Sequence, residues 1–146
     1  MPDALHSFAQ SLRALTALYG QVAARQSAGY EALGKPALLA VAFLGDRGPQ
    51  PMSAIADHLG VVRSAVTPLV DTLEREGIVR RERFSQDRRV WHVDLTARGR
   101  EIHDAEAAVY REVAAQMLAP LEVAERETLI SLIERVREGI ETGREA

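Results

Sequence analysis

Between Met52 and Leu69 the small and apolar residues fall at spacings that tightly constrain how this chain can fold. Ile55, Leu59, Val61, Val66 and Leu69 are placed to close one shared core between two short helices. Ala56 lies where those helices must cross, and a larger side chain would hold them apart. Gly60 ends the first helix, where a left-handed backbone is cheap only for glycine. The pattern is a helix-turn-helix, a unit that carries its second helix into the major groove of DNA. A chain built this way is expected to bind double-stranded DNA.

A chain of 146 residues allows one domain, or one domain with an attached dimerisation module. It has no cysteine, which excludes disulfides, thiolate metal sites and thiol redox sensing. No apolar run approaches membrane-spanning length, and the N-terminus lacks the pattern of a signal peptide, so a cytoplasmic protein is expected. The net charge of -3 hides a strong asymmetry. Residues 78–100 carry seven arginines against three acids, whereas residues 101–146 carry five arginines against eleven acids. Basic charge is thus focused directly after the helix-turn-helix, where phosphate contact would need it.

The flanks read as helices. Leu5, Phe8, Leu12, Leu15, Tyr19 and Val22 form a helical stripe from about residue 5 to 25. Pro36 opens a core helix that runs to about Leu44. After Gly77 the period changes to two. A strand leads to a turn at Phe84–Asp87, and Trp91, Val93 and Leu95 alternate with Val90, His92 and Asp94. This predicts a two-stranded wing, with Trp91 packed in the core. Thr96 then caps a long helix, Pro120 breaks it, and a last helix carries Leu129, Ile133, Val136 and Ile140. The expected fold is mainly α with a small β-wing. Its parts are an N-terminal dimerisation helix (1–34), a winged helix-turn-helix (35–96) and C-terminal dimerisation helices (97–146). The flanking amphipathic helices are expected to pack against a second copy of the chain, giving a homodimer.

The run from Ile55 to Val61, Arg63–Thr67, Leu69–Arg81, Asp87-Arg88-Arg89 and Leu95-Thr96-Ala97-Arg98-Gly99 resembles the MarR family of bacterial transcription regulators. The resemblance covers the central half of the chain. It implies a winged helix-turn-helix homodimer that represses from a pseudo-palindromic operator and is released by a small aromatic or phenolic anion. Two positions depart from the family pattern. Val62 stands where a serine is usual, and Pro68 where a polar contact is usual. The second helix either begins near Arg63 and bends at Pro68, or begins at Thr67 with Pro68 in its first position.

The candidate DNA contacts are Val62, Arg63, Ser64 and Thr67 on the second helix, and Arg80, Arg81, Arg88 and Arg89 on the wing. Arg63 can donate two parallel bonds to guanine, and an arginine of the wing tip can enter a narrow minor groove. Asp71 and Asp87 are candidate struts that would pair with Arg88 or Arg89 and fix the wing. The resemblance places an effector crevice near Arg13, Tyr19 and Tyr30. The four histidines do not form a metal-ligand spacing, and no cofactor or catalytic constellation is legible, so neither a cofactor nor an enzyme is expected. The competing classes are a winged dimer that binds another protein, and a constitutive DNA-binding protein without an effector.

Overall fold

The structure, a computed structural model, describes residues 3–26, 30, 32–84 and 87–145, with the backbone alone at 84, 87, 88, 144 and 145. Among the described residues, six helices and three strands follow in the order α1 (Ala4–Gln26), α2 (Lys35–Arg47), β1 (Gln50–Pro51), α3 (Met52–Leu59), α4 (Arg63–Arg75), β2 (Val79–Phe84), β3 (Asp87–Leu95), α5 (Ala97–Leu118) and α6 (Val123–Glu145). The fold is mainly helical with a small antiparallel sheet. Two compact units are formed, residues 1–110 and 111–146.

In the first unit Ile55 and Val66 are buried as the spacing predicts, whereas Leu59 and Leu69 are half-buried and Val61, expected in the same core, is 43% exposed at the turn. Ile55 and Ala56 of α3, Val66, Val70 and Leu73 of α4, and Val41 and Leu44 of α2 are all buried. Gly60 holds φ +68 at the end of α3, and its amide bonds back to the Asp57 carbonyl at 3.2 Å. The αL conformation there turns the chain into α4 without steric penalty.

The sheet has one strand more than expected. β3 is its centre, flanked by β2 and by the two-residue β1, whose Gln50 and Pro51 oppose Val93 and His92. Proline has no amide hydrogen to give a ladder and is confined to such edges. On the other side Val79, Arg81 and Arg83 oppose Leu95, Val93 and Trp91. Val79, Val93 and Leu95 are buried, but Trp91 is 44% exposed, contrary to its expected place in the core. Alternation sets its face correctly, but the hairpin has by then run past the protein that would cover it.

Thr96 and Gly99 join the wing to α5. The Thr96 hydroxyl donates to the carbonyl of Gly77 at 2.6 Å and accepts from the amide of Gly99 at 3.2 Å. The Thr96 amide donates to the Ile78 carbonyl at 3.0 Å. A Cβ at Gly99 would lie 2.2 Å from that same Ile78 oxygen. The helix therefore starts hard against the backbone of the preceding turn, and only a residue without a side chain fits.

Gly99→Ala is expected to destabilise the protein by about 1–3 kcal/mol, the usual range for overpacking a close contact. Urea unfolding should show a lower midpoint with an unchanged slope. An unchanged midpoint would mean that the backbone yields there at no cost.

Candidate nucleic-acid interface

Helix α4 begins at Arg63 with Val62 as its N-cap, and Pro68 lies inside it. Of the two possible starts, the earlier is the one observed. Val62 offers no side-chain cap. Proline is tolerated because Pro68 is exposed and its missing bond would have gone to the carbonyl of Ser64, one turn from the helix start, where water can reach it. With Val66, Val70 and Leu73 turned inward, the outward face carries Arg63, Ser64, Thr67 and Pro68, and Val62 is 70% exposed at its edge. The predicted helix contacts therefore share one solvent-facing surface.

The arginines of β2 are not equivalent. Arg81 is held by α4. Its Nη2 donates to Asp71 at 2.5 Å, its Nη1 to Glu74 at 2.8 Å, and its backbone amide to Glu74 at 3.2 Å. The Asp71 bond is the largest influence that raises the guanidinium pKa. Arg81, expected among the phosphate contacts, is thus occupied in holding the wing to the helix. Asp71 finds a partner on β2, because β2 runs back along α4 and brings Arg81 alongside. Glu74 was not anticipated in this role.

Arg80 points to the other face of the sheet. It donates to Asp94 at 3.0 Å and lies 3.6 Å from Glu82. Asp94 is buried, accepts from the Leu95 amide at 2.8 Å and lies 3.6 Å from Arg100. Arg80 is therefore tied to the base of the wing, with its side chain half-exposed. Arg89 is exposed on β3. The side chains of Asp87 and Arg88, and the centre of the expected turn, lie outside the described residues.

A second cluster lies where α1 meets the first half of α5. The rings of Tyr19 and Tyr110 lie 4.8 Å apart, and Tyr30 is close enough to act on the Tyr19 phenol. Burial, with Tyr30 and Glu106 nearby, pushes the Tyr19 phenol up to about 12. Glu106 is buried, and that burial raises its carboxyl pKa against the opposing pull of His103. His103 reaches α2 through Asp46 at 2.9 Å. Arg13 is exposed and sits about 120° round the helix from Tyr19, so it does not join the tyrosines. Glu106 and Tyr110 were missed, although Ile102, Glu106, Val109 and Val113 share helical spacing and are all buried.

The geometry defines a winged helix-turn-helix protein. Residues 35–91 match the model of the MarR family. That segment carries the MarR-type winged helix-turn-helix, and the chain takes the fold of the solved structures on which it superposes. The HTH-type transcriptional regulator YkoM of Bacillus subtilis is 33% identical over 93 residues, which are 64% of this chain and 60% of that protein. The match thus spans less than two thirds of that relative. The crystal structure of RV1404 from Mycobacterium tuberculosis superposes with a TM-score of 0.73 at 25% identity, covering 90% of this chain and 88% of that one. FabT from Streptococcus pneumoniae, solved in complex with DNA, superposes with a TM-score of 0.71 at 21% identity, covering 92% and 98%. No helix among the described residues is long and apolar enough to cross a membrane.

Because burial raises the Glu106 carboxyl above its unfolded value, the folded state holds that proton more tightly. Its contribution to stability is full below the unfolded pKa and is lost as pH rises through the folded one. Glu106→Gln is therefore expected to raise Tm at neutral pH, with the gain vanishing in acid. Parallel Tm-against-pH curves for variant and parent would remove Glu106 from that linkage.

Proposed function

We propose that this protein is a sequence-specific DNA-binding transcription regulator. It acts as a cytoplasmic homodimer on a pseudo-palindromic operator, as a ligand-responsive repressor, and works by binding rather than by catalysis. The observation that carries the reading is the exposed face of α4. Arg63, Ser64 and Thr67 stand clear of the core on a helix whose other face is fully buried and whose far end is tied to the wing through Arg81. Such a helix is a rigid reading head for the major groove, and Arg63 suits a guanine there. The structural likeness of FabT, solved with DNA, supports the same reading.

Dimerisation is supported by apolar surface that the chain does not cover. Leu5, Phe8 and Leu12 of α1 are 74%, 58% and 48% exposed, and Ile133, Val136 and Ile140 of α6 are each about half exposed. Stripes of this kind are expected to be buried in a second copy. Two reading heads would then meet successive major grooves roughly 34–36 Å apart.

The effector is proposed to enter beside Tyr19 and Tyr30. The surroundings of Tyr19 disfavour negative charge, since its own phenol is held neutral up to about 12. With Arg13 elsewhere on α1, an aromatic or phenolic effector would bind there in its neutral form more readily than as the expected anion.

Selection of bound sequences from a random duplex library at physiological salt is expected to enrich an inverted repeat. Arg63→Ala should weaken binding and relax the preference at one position of each half-site. Arg81→Ala should weaken binding with an unchanged salt dependence, since it holds the wing and not a phosphate. Salt-sensitive binding with no enriched sequence would favour a non-specific DNA binder, and no binding at all would favour the protein-interaction module.

A further inference from the structure

We propose that Arg83 and Trp91 form a binding site for a phosphate of the DNA backbone, on the face of the wing that looks toward α4. The inference rests on the DNA-binding reading above and adds a contact to it.

Arg83 and Trp91 are directly opposed across β2 and β3, and they form the last regular rung before the register shifts between Arg83 and Phe84. Side chains of opposed residues share a face. That face begins with Val79 and Leu95, both buried, and continues with Arg81 and Val93, where Arg81 is held by α4. The next rung outward is Arg83 and Trp91. An extended strand advances about 3.3 Å per residue, so this rung lies roughly 7 Å beyond the Arg81 joint. The direction is set by the joint itself. From Ile78, whose amide meets the Leu73 carbonyl, β2 proceeds to Arg81, which reaches Glu74 and then Asp71. The strand thus runs back toward the N-terminal half of α4, where Arg63 and Thr67 are exposed. Arg83 and Trp91 lie on that heading.

The chemistry of the pair fits an anion. The Arg83 guanidinium lies over the Trp91 ring, 4.3 Å from its centroid. Stacking engages the face of the guanidinium and leaves its in-plane N–H donors free, and those donors match a phosphate. Trp91 keeps the group flat and shields one side from water. Arg80 and Arg81 are each bound to carboxylates at 3.0 Å or less, whereas among the described residues Arg83 has no carboxylate partner. An exposed tryptophan clamped under an arginine, beside a helix face that reads DNA, is thus best matched by the sugar-phosphate strand next to the groove.

Trp91 is the only tryptophan, so its emission reports on this site alone. The full-length protein would be titrated with a short random-sequence duplex over a range of salt, following Trp91 fluorescence and, independently, DNA anisotropy. Emission is expected to change with DNA occupancy. Arg83→Ala should reduce the slope of log affinity against log salt by about one, the signature of one lost phosphate contact. Arg83→Lys should keep the slope but bind more weakly, because an ammonium cannot lie flat on the ring. Trp91→Leu should weaken binding and Trp91→Phe should restore most of it, with melting curves showing each variant folded. If the parent binds DNA and Arg63→Ala weakens it, while Trp91 emission is static and Arg83→Ala keeps the parental slope, the site is overturned and the regulator reading stands. An emission change with the parental slope in Arg83→Ala also overturns it, since the ring and not the arginine would then meet the DNA. Absence of DNA binding by the parent at any salt overturns both.

Discussion

The guanidinium of Arg81 is the joint on which the DNA-facing geometry depends. It sits between Asp71 and Glu74 of α4, and the amide of the same residue adds a further bond to Glu74. Such partly exposed ion pairs contribute little stability, typically about 0–1 kcal/mol each. Their value is directional. The guanidinium is a rigid fork, and two carboxylates one turn apart on a helix accept it in one orientation only. Arg81 is itself fixed in register by its sheet neighbours, because Val79, Val93 and Leu95 on the same face are buried. Helix α4 and the wing are therefore held together, presenting two surfaces at a fixed spacing.

That joint also shows what was legible in the chain. The helix-turn-helix could be read because its demands are local. Ala56, Gly60, Val66 and Leu69 are each set by neighbours a few residues away, and the positive φ at Gly60 follows from the turn alone. The Leu95–Gly99 motif could also be read, and its cause is the approach of α5 to the Ile78 carbonyl. The arginine run at 80–83 could not be apportioned from sequence. Charge counting treats its members alike, whereas their partners lie seven to fourteen residues away on another helix or strand. Alternation likewise gave the face of Trp91 but not where the covering protein stops.

The cluster around Tyr19 was half legible for a related reason. Tyr19 and Tyr30 were singled out, but Glu106 reads as an ordinary surface carboxylate of a helix rich in acids. Its burial follows only from the company of Ile102 and Val109 on the same stripe. Arg13 went the other way: the resemblance put it at the same crevice, whereas it lies on a different side of α1 from Tyr19.

The first half of α5 connects these features. At its start it is bound to the wing through Thr96 and through the approach of Arg100 to Asp94. One turn on, His103 bonds to Asp46 of α2. A further turn brings Glu106 and then Tyr110 to Tyr19 of α1. A helix is stiff over this length, about 20 Å for its fourteen residues up to Tyr110. A group that parts Tyr19 from Tyr110 without turning the half-exposed Tyr110 ring aside would tilt α5, and tilting would carry the base of the wing with it. Because the wing is joined to α4 by Arg81, the displacement reaches the reading surface without a separate relay. An effector beside Tyr19 would thus act on DNA binding by moving the wing and recognition helix together, and its strength as a regulator would be set by how differently it binds the two positions of α5.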